Sequence, residues 1–269
     1  MISSSVFIAL GIMIAAGIIL PLTVSIWWLK TRRERIATLL LGAATFFVFA
    51  LVLESIVHNI VFTIFPSLID NTIAYMIYGA FMAGLFEETG RYLTMRFLLK
   101  KFNNRETSIS FGIGHGGFEA LFILAYSGVQ NIAYATLINQ GKLQMIIDEA
   151  AKAGADTSAI ESLPEQFASF NTATIGLAIF ERCGAMLFHV AMSILVFYAV
   201  KKARPAFYLL AILLHALLDS PAALYQKGII TNQLVLELII AAFVVTVFVI
   251  IYKTVYSKYT PNEEVTEIA

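Results

Sequence analysis

Charged residues are scarce in this chain: only 13% of its 269 residues are Asp, Glu, Lys or Arg, whereas 59% are hydrophobic. A mean hydropathy of +0.81 is too high for a soluble domain of this length. The single cysteine, Cys183, excludes an internal disulfide framework. Eighteen basic residues balance eighteen acidic ones, so the net charge does not indicate a nucleic-acid partner, and none is expected. The composition indicates an integral membrane protein surrounded by a lipid bilayer.

Long apolar runs predict an all-α polytopic membrane protein, a bundle of about seven transmembrane helices. Each run reaches the roughly 20 residues that a helix needs to cross a bilayer core. The predicted spans are 5–28, 36–65, 73–99, 107–127, 167–200, 206–225 and 233–256. We expect one transmembrane domain over residues 1–256, with an external connector of short helices at about 128–166, and a short cytoplasmic tail at 257–269.

The orientation of the bundle is predicted from its basic residues. Clusters of Lys and Arg follow the first, third and fifth spans, at 30–35, 96–105 and 201–204, and the opposite loops contain few. By the positive-inside rule, the N-terminus lies outside and the C-terminus in the cytoplasm. We therefore expect a multi-pass protein of the bacterial cytoplasmic membrane.

Several ionisable side chains interrupt the apolar spans, where each costs about 2.5 to 3.5 kcal/mol. They are Glu87, Glu88, Arg91, His115, Glu119, His189, His215 and Asp219, on four different spans. Counted along the helices from the basic residues at the cytoplasmic boundary, Glu88 and the three histidines lie roughly 15 to 18 Å below that surface. His58, the remaining histidine, is roughly 34 Å from it and is left out. One shared depth predicts a common functional centre.

The charge balance of this centre indicates a bound metal. Four carboxylates and one arginine leave a surplus of negative charge in a medium of low dielectric, if all are ionised. Because three imidazoles lie at the same level, a divalent cation explains the cluster better than protonation does. We expect Zn²⁺, or another divalent metal, with His115, His189 and His215 as ligands. Glu119 and Asp219 follow two of these histidines by one helical turn, so each either orients a histidine or is an additional ligand.

A metal beside paired glutamates indicates hydrolysis, because a glutamate can accept the proton of a water that the metal activates. Glu87, Glu88 and Arg91 form the expected catalytic group. Neighbouring helix positions diverge by about 100°, so one glutamate should face the metal and the other should pair with Arg91 or a neighbouring helix. Glu88 is the favoured base. Glu181 and Arg182, nearer the outer face, are expected to give peripheral support as an ion-paired network.

Four motifs in this order resemble those of a known family. They are Glu87-Glu88-Thr89-Gly90-Arg91, Gly112-Ile113-Gly114-His115-Gly116-Gly117-Phe118-Glu119, Glu181-Arg182 with His189 after it, and His215-Ala216-Leu217-Leu218-Asp219. On them the chain resembles the YhfC family of intramembrane metalloproteases, related to the PrsW and CPBP (CAAX-protease-like) groups, over about residues 30–225.

The order of the motifs on successive helices makes the resemblance specific, although each motif alone is weak. Arg91 stands where the Glu-Glu-x-x-Lys form of PrsW has lysine, and the CPBP pattern of Glu-Glu followed by Arg has one more intervening residue. Phe111 and His115 fit the CPBP motif Phe-x-x-x-His, and His215 and Asp219 fit its third motif. His189 fits the PrsW-like pattern. The resemblance implies a glutamate-activated water and histidines on separate helices.

These observations favour an intramembrane zinc-type metalloprotease that cleaves a membrane-embedded or membrane-proximal peptide. Two alternatives remain open. One is a non-catalytic membrane scaffold or substrate-binding protein of the same fold. The other is a transporter, proton relay or haem-binding membrane protein, because intramembrane acids and histidines serve all three.

Overall fold

The structure is a computed structural model that describes residues 1–154 and 157–260. Within these ranges every regular element is a helix and no strand occurs, which confirms the predicted all-α class. Beyond residue 260, the predicted tail lies outside the described residues. The helices are α1 (Ser4–Arg32), α2 (Ile36–Ile64), α3 (Ser67–Asp70), α4 (Thr72–Leu93), α5 (Glu106–Asn139), α6 (Leu143–Lys152), α7 (Ser158–Glu161), α8 (Leu163–Ser169), α9 (Thr172–Lys201), α10 (Pro205–Gln226) and α11 (Gln233–Tyr256).

Six of the described helices are long and apolar enough to cross a bilayer: α1, α2, α5, α9, α10 and α11. The predicted third span is α4, a helix of 22 residues that a π-helical segment, Thr94–Leu98, continues. At 1.5 Å per residue α4 is about 33 Å long, enough for a bilayer core. Its two glutamates and its arginine make it less apolar than the other six. The protein is a polytopic helical membrane protein, and the orientation of its termini stays a prediction.

Helix α5 continues beyond residue 127, the predicted end of the fourth span. It extends as far as Asn139, so residues 128–139 prolong this helix instead of forming a separate short helix. This stretch contains no proline, and the helix ends only before Gly141. The φ of Gly141 is +71°, a left-handed conformation that glycine adopts without steric cost. Three short helices, α6, α7 and α8, then form the described part of the connector.

The helices form two compact units, each with its own buried apolar cluster. The first unit comprises Met1–Leu20 and Ala120–Arg182. The second comprises Pro21–Glu119 and the described residues from 183 to 260. All eight ionisable residues of the predicted centre belong to the second unit, which is described in detail below.

Glycines bring the helices of the second unit into backbone contact. A Cβ atom on Gly114 of α5 would lie 1.9 Å from the carbonyl oxygen of Leu39 in α2. On Gly112 it would lie 2.6 Å from the Cα of Val190 in α9, and on Gly84 of α4 it would lie 2.7 Å from the backbone of α10. Side chains larger than hydrogen do not fit such gaps. The glycines therefore allow the helices that carry the ionisable residues to lie side by side.

Candidate metal centre

Four helices of the second unit direct ionisable side chains into one buried group, which we call the carboxylate–histidine cluster. Its members are Glu87, Glu88 and Arg91 from α4, His115 and Glu119 from α5, His189 from α9, and His215 and Asp219 from α10. Hydrogen bonds and ion pairs connect all eight. Residues that the sequence places at one depth on separate helices therefore contact one another in the structure.

Glu87 lies among the three histidines. Its Oε2 atom is 2.8 Å from His115 Nε2 and 3.7 Å from His189 Nδ1. Its Oε1 atom is 3.8 Å from His215 Nε2. The two oxygens of one carboxylate therefore face imidazole nitrogens from three helices, and Glu87 is the acidic group closest to the middle of the cluster.

The three imidazole rings lie close together, and two of them pack against phenylalanine rings. The ring centroids of His115 and His189 are 5.0 Å apart, and those of His189 and His215 are 5.7 Å apart. Phe46 packs against His115 at 5.2 Å, and Phe188 packs against His215 at 5.4 Å. The sequence gives no signal for these two phenylalanines, because the chain has 21 of them and most spans contain several.

Glu88 is occupied by two partners and turned away from the other histidines. It is fully buried, and its Oε1 atom accepts hydrogen bonds from Arg91 Nη1 and from His215 Nδ1, the latter at 2.7 Å. Its Oε2 atom has no hydrogen-bond partner among the described residues. As expected for adjacent positions, one glutamate pairs with the arginine and the other faces the histidines. The glutamate that faces the histidines is Glu87, whereas Glu88 was favoured from the sequence as the catalytic base.

Arg91 connects the two glutamates to a histidine. Its guanidinium group is fully buried, and Nη2 lies 3.5 Å from Glu87 Oε2. The same nitrogen donates to His189 Nδ1 at 2.5 Å. A buried arginine is tolerated only when carboxylates neutralise it, and here two adjacent carboxylates do so. The cluster therefore already stabilises a positive charge beside Glu87 and His189.

Two further carboxylates contact the outer sides of the histidines. Glu119 accepts a hydrogen bond from His189 Nε2, so it pairs with a histidine of another helix rather than with His115 of its own. Asp219 Oδ2 lies 3.5 Å from Nε2 of His215, its own helical neighbour. The side chain of Asp219 has a relative exposure of 36%, against 9% for Glu87. Asp219 thus marks the more accessible side of the cluster.

The donor atoms of the cluster suit a divalent cation. One ligand atom each from Glu87, His115 and His189 lies within 4.8 Å of the other two, and all three residues are buried. Two imidazole nitrogens with a carboxylate oxygen form a donor set that zinc commonly uses in proteins. Of the three ligands expected from the sequence, this group of donor atoms includes His115 and His189. Glu87 takes the place of His215, whose Nε2 atom lies 3.8 Å from Glu87 Oε1.

The other residues considered in the sequence analysis are Glu181, Arg182 and His58. Glu181 and Arg182 belong to the first unit, where the Arg182 guanidinium donates to the neighbouring Glu181 carboxylate. His58, which the depth argument leaves out, is hydrogen-bonded to the Tyr78 hydroxyl at 2.9 Å and to Glu54 at 3.0 Å. The peripheral support expected from Glu181 and Arg182 stays a prediction.

Comparison with known proteins agrees with the motifs. Residues 14–240 match the family model described as YhfC intramembrane metalloprotease. The chain is also 37% identical over 244 residues to a Bacillus subtilis (strain 168) protein described as the uncharacterized membrane protein YhfC, covering 90% of this chain and 93% of that protein. No solved structure gives a significant match. The chain therefore belongs to the YhfC intramembrane metalloprotease family.

Proposed function

We propose that this protein is an intramembrane metallopeptidase in which Glu87 activates a water molecule for attack on a peptide bond in or near the membrane. The observation that carries the proposal is the convergence of Glu87, His115 and His189, whose ligand atoms lie within 4.8 Å of one another. The description of the family supports the same chemistry. We further propose a peptide substrate and a location in the bacterial cytoplasmic membrane.

Glu87 Oε2, His115 and His189 would hold the cation, and zinc suits this mixed nitrogen and oxygen set. Because His189 Nε2 is bound to Glu119, His189 would offer Nδ1, and the cation would replace the hydrogen bond from Arg91 there. Glu87 Oε1 is left for proton transfer. When bound, such a cation lowers the pKa of water and polarises a carbonyl group. The charge balance supports this assignment, because the cluster contains four carboxylates and one arginine, and Arg91 pairs with only two of them, Glu87 and Glu88. An additional cation would reduce their mutual repulsion.

Glu87 is better placed than Glu88 to move the proton, which reverses the assignment favoured from the sequence. Its Oε2 atom faces His115 and His189, while Oε1 is directed toward His215 at 3.8 Å. As the water oxygen bonds to the carbonyl carbon, Oε1 accepts the water proton. Glu87 then gives this proton to the peptide nitrogen when the carbon–nitrogen bond breaks.

The remaining members of the cluster hold these groups in position. Glu88 fixes the His215 ring through Nδ1, and Glu119 fixes the His189 ring through Nε2. Arg91 neutralises Glu88 and restrains Glu87. Because Asp219 is the most exposed acid of the cluster, we assign its side as the one from which water and substrate enter.

Two measurements on the purified full-length protein test this function. Metal analysis after incubation with Zn²⁺ should give about one cation per chain in the wild type and none in His115→Ala. Cleavage of a quenched-fluorescence single-span peptide in proteoliposomes should fall at least about 100-fold in Glu87→Gln, because general-base catalysis contributes about 10²–10⁴ and the variant also loses a carboxylate ligand of the cation. His58→Ala, a histidine outside the cluster, should retain both properties.

Two results would contradict the proposal. A well-folded wild type that holds no metal after incubation with Zn²⁺ would favour a non-catalytic scaffold of the same family. Full cleavage by Glu87→Gln together with loss of cleavage in Glu88→Gln would transfer the proton role to Glu88.

A further inference from the structure

A basic cavity lies between two loops of the second unit, and no member of the carboxylate–histidine cluster lines it. Its volume is about 590 Å³, within the roughly 300–1,000 Å³ range of small-molecule sites. One loop joins α1 to α2, and the other precedes α5. The lining includes Arg33, Glu34, Arg35, Lys101, Phe102 and Asn104.

The cavity carries an excess of positive charge. Arg33, Arg35 and Lys101 are exposed, and none of them has a carboxylate within ion-pair distance among the described residues. The one acidic residue of the lining, Glu34, instead accepts hydrogen bonds from the Asn104 amide and, at 3.2 Å, from the Ser110 hydroxyl. Three cations and one carboxylate therefore line the cavity, and positive charge remains in excess.

Two of these basic residues have distinctive local structure. The Arg35 guanidinium lies 5.3 Å from the centre of the Phe102 ring, a cation–π contact that orients it. Arg33 has a φ of +54°, the left-handed conformation that usually requires glycine after a helix end. Strained backbone of this kind concentrates at ligand-binding sites. An arginine thus occupies a position where the backbone alone would favour glycine.

We propose that this cavity binds a phosphate group, and that the phosphate belongs to the headgroup of an anionic phospholipid. Guanidinium groups bind phosphate oxygens in pairs, and the lysine adds a third charge. Helix α1 ends at Arg32 and helix α5 begins at Glu106, so the cavity lies where two spans leave the bilayer core. Basic pockets between transmembrane helices bind such headgroups.

Native mass spectrometry of the full-length protein tests the site with two probes, phosphatidylglycerol and phosphatidylcholine. We expect the wild type to retain phosphatidylglycerol in preference to phosphatidylcholine. The variant Arg35→Gln/Lys101→Gln should bind phosphatidylglycerol roughly 25-fold more weakly, about fivefold for each cation removed. Lys253→Gln removes an exposed lysine that does not line the cavity, so it should leave binding unchanged.

One further variant and one further ligand distinguish a lipid phosphate from inorganic phosphate. Arg33→Gly removes one cation without straining the backbone, so its thermal stability should be retained while its affinity for phosphatidylglycerol falls about fivefold. Binding of inorganic phosphate with the same dependence on these variants, and without a preference for phosphatidylglycerol, would support a phosphate site and overturn the lipid source. Equal binding of both lipids by wild type and variants, with no binding of inorganic phosphate, would overturn the proposal.

Discussion

Replacing Arg91 with methionine should strongly destabilise the protein, and the structure gives the size of the effect. The guanidinium is fully buried between Glu88, to which it donates, and Glu87, whose Oε2 atom lies 3.5 Å away. At an effective dielectric constant of about 20, two unit charges at such a distance interact by roughly 5 kcal/mol. Removing one partner of a buried pair costs about 3–5 kcal/mol, because the remaining charge is left uncompensated.

A second substitution tests whether this cost comes from the ion pair. In Glu88→Gln/Arg91→Met, the amide oxygen can still accept the hydrogen bond from His215 Nδ1, while the unpaired carboxylate is removed. The double variant should therefore recover at least half of the stability that Arg91→Met loses. As a control, Arg96→Met removes an exposed arginine that donates to the Tyr92 hydroxyl, and it should cost less than about 1 kcal/mol.

Thermal unfolding in detergent, followed for all four variants and the wild type, provides the measurement. At about 2–4 °C per kcal/mol for a chain of this size, Arg91→Met should lower Tm by roughly 6–20 °C. Glu88→Gln alone is the variant that completes the cycle. Strictly additive losses for Glu88→Gln and Arg91→Met would refute the coupling between the two side chains.

Two other expectations concern helix packing and the metal. Gly114→Ala should destabilise by about 1–3 kcal/mol, because its Cβ would lie 1.9 Å from the Leu39 carbonyl oxygen. Gly79→Ala, where the added Cβ meets nothing within 4 Å, should stabilise the protein by up to about 1 kcal/mol. Equal changes in Tm for the two variants would contradict the close contact between Gly114 and Leu39. Glu119→Gln should weaken zinc binding about 10–100-fold by releasing His189, as a competition titration with a zinc chelator would measure. Unchanged zinc affinity would show that Glu119 does not orient His189.

Local features of the sequence determined the class of the protein and the members of its centre. The length of an apolar run sets whether a helix can span a bilayer, and a fixed rise per residue converts sequence position into depth. Glu88, His115, His189 and His215 could therefore be assigned to one level before any contact was known. The end of α5 was harder to predict, because residues 128–139 are less apolar than a typical span and yet have no helix-breaking residue before Gly141.

Only the tertiary structure decided which side chains meet. Helical periodicity fixes neighbours on the same helix, but rotation and approach of different helices depend on packing, such as the close contact of Gly114 with Leu39. This packing turns Glu87 toward the histidines and pairs Glu88 with Arg91, although the two glutamates are adjacent in sequence. The membership of the cluster thus follows from depth along each helix, whereas the roles within it follow from the lateral arrangement of helices, which sequence spacing does not specify.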